Sequence, residues 1–305
     1  MRVISYNICY GGTGRVEVLA KVLASRHPDI VGLVEASDNQ VVEEVAAILG
    51  MDYRLSGHGQ GSEAQQSAVL SRFPIRASSI SKTAVLTKQP LLGVTVEAPD
   101  GQPVTVFVAH LTAAFSRSWR ANLQRRREVQ ELLRQMAPLG LERHLLMGDF
   151  NAIFPGERIK GSLFLRYMLG QRPAGQPCLD GALQPPKLEF VVPGLLRFLA
   201  SSLRAAPKSR VLSWLLDSLD PLYAPRGGLE ALIQAGYVDC FRAQHPQQPG
   251  FSWPALLPVG RIDYLFASPA LAPSLCVCDV IAESDGVPTS QASDHLPVFA
   301  TFGGC

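Results

Sequence analysis

The chain has 305 residues, of which 47% are hydrophobic and 18% charged, and its formal net charge is +2. These values describe one large or two ordinary globular domains with enough chain to bury a full core, and they exclude a disordered polymer. No apolar run reaches the roughly 18 residues of a membrane-spanning helix, and the near-neutral charge neither demands nor excludes a polyanionic partner.

The chain opens directly on a strand-like run, residues 2–9, with no basic stretch, apolar segment and cleavage site ahead of it. The expected location is therefore cytoplasmic. Val16, Leu19, Ala20 and Leu23 follow helical spacing, and His27-Pro28-Asp29 closes that helix. Ile30–Val34 reads as a buried strand with Glu35 at its C-terminal end, and Val42, Val45, Ala46 and Leu49 mark a second helix. Ser67–Ser71, Leu91–Glu97 and Val104–Leu111 read as strands, the last two joined in a hairpin by Pro99-Asp100-Gly101. Val129, Leu132, Leu133 and Met136 give a helix whose start, Arg125-Arg126-Arg127, reads as solvated. Leu145-Leu146-Met147 is a short buried strand that delivers Gly148-Asp149-Phe150-Asn151.

Residues 154–226 break this pattern. They are rich in proline and glycine and carry two amphipathic helix candidates, one on Leu195, Phe198, Leu199 and Leu203 and one on Leu212, Leu215, Leu216 and Leu219. Ten basic residues face five acidic ones there, so the segment is +5 and the remainder −3. The segment reads as an insertion in a single domain spanning 1–305. The core pattern then resumes with a helix on Leu229, Leu232 and Ile233 and strands at Ile262–Phe266, Cys276–Ile281 and Leu296–Phe302. The cysteines, at 9, 178, 240, 276, 278 and 305, lack CxxC spacing and fit reduced, mostly buried thiols, with Cys276 and Cys278 on one strand face. His58 reads as a loop residue. Strands paired in hairpins with helices between them suggest two packed mixed sheets under outer helices.

Polar residues gather at the ends of the apolar runs: Asn7, Glu35, His110, Asp149, Asn151, Asp263, Asp294 and His295. Strand ends are where a rigid scaffold can aim several groups at one point. Any one of them alone reads as a cap or turn residue. The set reads otherwise, because a carboxylate inside the apolar run Ile262-Asp263-Tyr264 is costly unless paired, and Asp294-His295 before a final strand is an odd choice for a turn.

Six segments in order, Ser5-Tyr6-Asn7, Val34-Glu35, Ala109-His110-Leu111, Gly148-Asp149-Phe150-Asn151, Arg261-Ile262-Asp263 and Ser293-Asp294-His295, resemble the motifs of the endonuclease/exonuclease/phosphatase family. The resemblance covers nearly the whole chain apart from 154–226. It implies an α/β fold, a four-layer α/β/β/α sandwich of two mixed, mainly antiparallel sheets, with a helical insertion and a site at one rim. It also implies a Mg²⁺- or Mn²⁺-dependent phosphoesterase. Glu35 would be the principal metal ligand, with Asn7 beside it and Asp294 contributing; Asp149 would orient or deprotonate the attacking water. Asn151 would hydrogen-bond the phosphate, and His110 would stabilise charge on it. His295, oriented by Asp263, would contact the phosphate and share in proton transfer. The chemistry agrees: a divalent ion offsets the repulsion between a phosphate ester and hydroxide, and such hard cations need only one or two carboxylates.

The abasic-site endonucleases of that family carry an acidic residue two positions after the first-strand asparagine, where this chain has Cys9. That weighs against this subgroup, and no wedge residue for base flipping is identifiable. The expected activity is a nuclease or phosphodiesterase acting on DNA or RNA as a monomer. The alternative is a phosphoesterase on lipid headgroups or small phosphorylated metabolites, with a lipid surface reached through the basic segment. A silent binding module on the same scaffold is the third reading. Trp119 and Arg120, one loop beyond His110, are candidates for the substrate cleft.

Overall fold

The computed structural model describes residues 1–57, 66–86, 90–113, 119–140, 142–170, 209–220 and 224–303. His58, Cys178, Cys305 and the helix expected on Leu195–Leu203 lie outside the described residues, as does the side chain of Trp119.

In chain order the elements are β1 (Arg2–Asn7), α1 (Val16–Ala24), β2 (Ile30–Val34), α2 (Asn39–Leu49), β3 (Asp52–Leu55), β4 (Ser67–Ser71), β5 (Ile75–Ser81), β6 (Leu91–Glu97) and β7 (Pro103–His110). There follow α3 (Trp119–Met136), β8 (His144–Asp149), α4 (Gly161–Met168), α5 (Arg210–Ser218), α6 (Glu230–Gln234), β9 (Val238–Asp239) and α7 (Cys240–Gln244). The chain closes with β10 (Asp263–Ala267), β11 (Leu275–Val280), β12 (Glu283–Ser284), β13 (Val287–Pro288) and β14 (Val298–Phe302). Among the described residues no helix is long and apolar enough to cross a membrane.

The strands form two six-stranded sheets, ordered β11-β14-β1-β2-β4-β3 and β5-β6-β7-β8-β10-β9, with β12 and β13 as a separate pair. Each large sheet contains one parallel pair, β1 with β2 and β7 with β8. The other strand pairs are antiparallel, so both sheets are mixed and mainly antiparallel.

The alternation of side chains along each strand explains the layering. In β2, Ile30 and Val34 enter the core between the sheets, together with Val106, Val108, Leu145, Met147 and Leu265 of the second sheet. Val31 and Leu33 of the same strand turn the other way, against Leu19, Leu23, Val42 and Val45 of α1 and α2. Burial on both faces is why β2 reads as a continuous apolar run and not as an alternating one. On the outer face of the second sheet, Leu146, Tyr264 and Phe266 pack against Val129, Leu132 and Met136 of α3 and Leu232 of α6. The result is an α/β/β/α sandwich. A Cβ on Gly32 would lie 2.6 Å from Met147 Cε, so this glycine lets the two sheets approach closely.

Three expectations need correction. α3 begins nearly three turns earlier than its apolar stripe, so Arg125 lies within the helix and is fully buried, while Arg126 and Arg127 are exposed as a solvated face. Cys276 and Cys278 do not share an environment: a register shift between Leu275 and Val277 interrupts the alternation, leaving Cys276 half-buried and Cys278 buried. Cys276 is also disulfide-bonded, against the expectation of reduced thiols throughout; Cys240 and Cys278 are free and buried, and Cys9 is buried as well.

The two ends of segment 154–226 lie together. Ile153 N donates to Pro225 O at 2.8 Å, and the Arg226 guanidinium donates to the carbonyls of Ile153, Phe154 and Glu157.

Candidate active site

The sheet registers bring the polar strand ends to one rim. His110, Asp149 and Asp263 stand directly opposite one another on β7, β8 and β10. Each continues the alternation of Val108, Met147 and Leu265, so each side chain points between the sheets. Asn7 ends β1 with the parity of Val3 and points inward from the facing sheet. Glu35 follows β2 with a φ of +57°, which ends the strand alternation. Asp294 and His295 precede β14, which runs antiparallel to β1 and so begins at the same rim.

Asp149 needs the glycine before it. Gly148 has a φ of +137°, and a Cβ there would fall 1.9 Å from Ala109 O on the neighbouring strand. Backbone strain clusters here too: Cys9, Tyr10, Glu35 and Asn151 all have positive φ. Strained residues of this kind persist where the surroundings over-determine them, commonly at functional sites.

Asp149 is the hub. Its Oδ2 accepts from Asn7 Nδ2 at 3.1 Å and lies 3.5 Å from His110 Nε2 and 3.8 Å from His295 Nε2. Its Oδ1 accepts from Asn151 N at 2.8 Å. Asn7 Nδ2 also donates to Glu35 Oε1 at 3.2 Å, and Tyr10 N donates to Glu35 Oε2 at 2.8 Å. Asp263 holds His295 Nδ1 at 2.9 Å. Asn151 Nδ2 donates to Leu111 O at 3.1 Å. All eight residues named from sequence therefore share the rim. Asp294 belongs to it less directly, accepting from Trp253 Nε1 at 3.3 Å beside His295.

Charge and burial set the protonation of this cluster. Burial, reinforced by Asp263, raises the Asp149 carboxyl above the ordinary range, although His295 and His110 oppose the rise. Burial would lower His295, yet Asp263, Asp294 and Asp149 outweigh it and hold the imidazole well above its usual value. Burial works to raise Glu35, and His110, the Tyr10 N–H, His295 and Asn7 together overcome it, so Glu35 sits below the ordinary value.

The donor set can be tested against a divalent cation. Glu35 and Asp149 face the same amide, and Asp294 acts with Glu35 on the thiol of Cys9. Oxygen-rich carboxylate clusters of this kind suit a hard cation such as Mg²⁺ or Mn²⁺. Ligand atoms of Asp149, Asp263 and His295 also converge within 4.8 Å. His295 Nδ1 is engaged by Asp263, however, which is the geometry of a proton-handling pair. Asn7 does not offer its oxygen in this orientation: Oδ1 accepts from Cys9 N at 3.0 Å, and the NH₂ group faces the two carboxylates.

Sequence reasoning missed the supports. Ser252 Oγ donates to Asp263 Oδ2 at 2.6 Å and accepts from the Ile262 and Asp263 amides. The Trp253 ring lies 6.3 Å from the His295 ring. Ser293 Oγ donates to Asn7 O at 2.6 Å, tying the end of β1 to the turn before β14. A serine or tryptophan in a loop carries no periodic signal. Arg120, expected near the cleft, is exposed at the start of α3.

A protein-family model described as the endonuclease/exonuclease/phosphatase family matches residues 4–295. Among solved structures, the chain is similar to an AP endonuclease from Archaeoglobus fulgidus, with 14% identity, 99% of each chain covered and a TM-score of 0.64. It is similar to a 3′ phosphatase, NExo, from Neisseria bound to a product DNA hairpin, with 19% identity, 100% of each chain covered and a TM-score of 0.61. It is also similar to D. rerio TDP2 complexed with a single strand DNA product, with 16% identity, 100% of this chain and 99% of that one covered, and a TM-score of 0.58. A comparison with curated proteins found no match.

Proposed function

The chain belongs to the endonuclease/exonuclease/phosphatase family, and from that premise we propose that it is a divalent-metal-dependent hydrolase of phosphodiester bonds in DNA or RNA. The observation that carries this reading is Asp149, a buried carboxylate between Asn7, His110 and His295 at the meeting of two sheets. Nucleic acid as substrate is supported by the DNA products bound in two of the similar structures.

Glu35 and Asp149, with Asp294 alongside, would hold Mg²⁺ or Mn²⁺, which supplies charge neutralisation on the phosphoryl oxygens. Asn7 aligns the two carboxylates. Asp149 orients the attacking water and accepts its proton. His295 is held in its protonated form and donates to the phosphoryl or leaving oxygen, while Asp263 fixes the ring through Nδ1. His110 lies on the other side of Asp149 and stabilises negative charge that develops on the phosphoryl oxygens. Asn151 keeps one amide hydrogen for a substrate oxygen after bonding Leu111 O.

The test is turnover on a panel of plasmid DNA, single-stranded DNA, RNA, sphingomyelin and phosphoinositides, with Mg²⁺, with Mn²⁺ and with EDTA. Cleavage of a nucleic acid that stops with EDTA is expected, and Asp149→Asn should reduce it by about 10²–10⁴-fold, the usual contribution of a positioned general base. Undiminished turnover in EDTA, or in the Asp149→Asn variant, would sink the mechanism. Turnover confined to the lipid arms would move the substrate to a headgroup phosphoester.

A further inference from the structure

Tyr10 lies where the fold has little use for it. It belongs to the turn that leaves β1 at the active-site rim, three residues after Asn7. Four successive residues of that turn are left-handed: Cys9, Tyr10, Gly11 and Gly12 have φ of 53°, 48°, 77° and 71°. Glycine adopts this conformation freely, and a bulky aromatic residue does so rarely. The backbone is fixed all the same. Cys9 N donates to Asn7 Oδ1 at 3.0 Å, Tyr10 N to Glu35 Oε2 at 2.8 Å and Gly11 N to Glu35 O at 2.8 Å. Cys9, Gly11 and Gly12 are buried, yet Tyr10 is 63% exposed. A small residue would hold the same turn with less strain, and the exposed ring gains little burial to offset it. Strain that burial does not offset, at the rim of a site, points to a contact outside the fold.

The ring stands beside the carboxylates that would hold the metal. Burial, and after it Glu35, Cys9 and Asp294, raise the phenol above its ordinary value, so the side chain lies within reach of both acids. The Tyr10 N–H is bonded to Glu35 itself, which ties the ring to that carboxylate. A phosphoester seated on Glu35 and Asp149 would carry its neighbouring group past this ring. The group that suits it must offer a flat apolar face close to a phosphate. A nucleobase does so, and stacking selects no particular base because each has a π-face. A sugar phosphate or an inositol headgroup offers hydroxyls and charge but no such face. We propose that Tyr10 is the stacking platform for the nucleobase next to the scissile phosphate. The inference rests on the nucleic-acid reading above and extends it. Inside a duplex both faces of a base are covered by its neighbours, so an unpaired or terminal base reaches the ring at least cost. The preferred substrate is therefore a single strand, an overhang or a frayed end.

The experiment gives the full chain, with Mg²⁺ or Mn²⁺, esters that share one leaving group: thymidine 5′-p-nitrophenyl phosphate, methyl p-nitrophenyl phosphate and p-nitrophenylphosphorylcholine. The thymidine ester should have the highest kcat/KM. Tyr10→Ala should cut the thymidine-to-methyl ratio of kcat/KM by roughly tenfold, the loss typical of one base–aromatic stack, and chiefly through KM. Tyr10→Phe keeps the ring and should keep the ratio. Tyr10→Asn suits a left-handed backbone. It should melt no lower than the parent and lose the ratio as Tyr10→Ala does, which separates lost stacking from lost folding. The preference for single-stranded over duplex oligonucleotides should fall with the ratio. An unchanged ratio in the folded Tyr10→Asn chain would overturn the proposal. Equal loss in Tyr10→Phe would assign the contact to the hydroxyl and overturn stacking. A preference for the choline ester that Tyr10→Asn abolishes would replace the nucleobase by a cationic headgroup. Cleavage of DNA or RNA with an unchanged ratio defeats this inference alone, whereas a parent that cleaves neither the thymidine ester nor any nucleic acid defeats the nucleic-acid reading with it.

Discussion

At the scale of single residues, the site depends on two kinds of position that the sequence reveals unequally. Gly148 is one kind. Its missing Cβ would sit 1.9 Å from Ala109 O, a backbone atom held in the β7 ladder, and its φ of +137° is unfavourable for any L side chain. Gly148→Ala should therefore destabilise the fold by at least about 3 kcal/mol, read as a lower urea midpoint; a native midpoint would refute the steric argument. Ser252 is the other kind, a positioning residue that meets the substrate only through Asp263 and His295. Ser252→Ala should leave the fold intact and lower kcat by roughly tenfold, the effect of loosening one buried hydrogen bond to a charged group. It should also shift the pH profile of kcat, which a merely structural serine would not do, while Ser252→Thr should restore part of both. An unmoved profile would remove Ser252 from the relay. The contrast explains what was legible. Asn7, Glu35, His110, Asp149, Asp263 and His295 are polar residues at the ends of apolar runs, so their oddity shows in the sequence. Ser252 and Trp253 are ordinary loop residues until the chain brings them against Asp263 and Asp294.

At the scale of elements, the sequence was readable wherever an element buries one stripe. α1, α2 and the hairpin of β6 and β7 lie where the apolar spacing puts them. β5 was not foreseen, because its interior is exposed and serine-rich at a sheet edge and it has no buried face to impose a period of two. The first turns of α3 were missed for the same reason: its apolar stripe starts at Val129, beyond a polar run that is nevertheless helical. Within that run Arg125 is fully buried, and burial pushes its guanidinium down to about 10. It donates to Thr112 O at 2.9 Å, to Arg226 O at 3.4 Å and to Asn122 Oδ1. One side chain thus joins the segment after β7, α3 and the base of the 154–226 segment. Arg125→Met keeps the aliphatic stem and removes the donors, leaving buried carbonyls unsatisfied. It should cost about 2–4 kcal/mol, measured by urea denaturation, and an unchanged midpoint would show that water replaces the guanidinium.

At the scale of the whole molecule, the site is also a seam. Asn7 and Glu35 come from the sheet containing β1 and β2, and His110, Asp149 and Asp263 from the sheet containing β7, β8 and β10. The core between the sheets is apolar, so at this rim the two halves are joined by Asn7, which donates to both Glu35 and Asp149. A cation held by Glu35 and Asp149 would add a further tie across the seam, beside Asn7 and the His295–Asp263 pair. Such an ion binds the folded chain and has no preformed site in the unfolded one, so it should raise stability by mass action. At a tenfold excess over Kd the gain is about 1.4 kcal/mol, a rise in Tm of roughly 3 °C for a domain of this size. Thermal melts of the chain with Mg²⁺, with Mn²⁺ and with EDTA measure it without any substrate. Glu35→Gln, which keeps the shape and weakens the ligand, should shrink the metal-dependent rise while leaving the melt in EDTA close to that of the parent. A chain whose turnover needs metal but whose melt ignores it, at concentrations that saturate activity, would show that the ion enters with the substrate phosphate and does not bridge the two sheets.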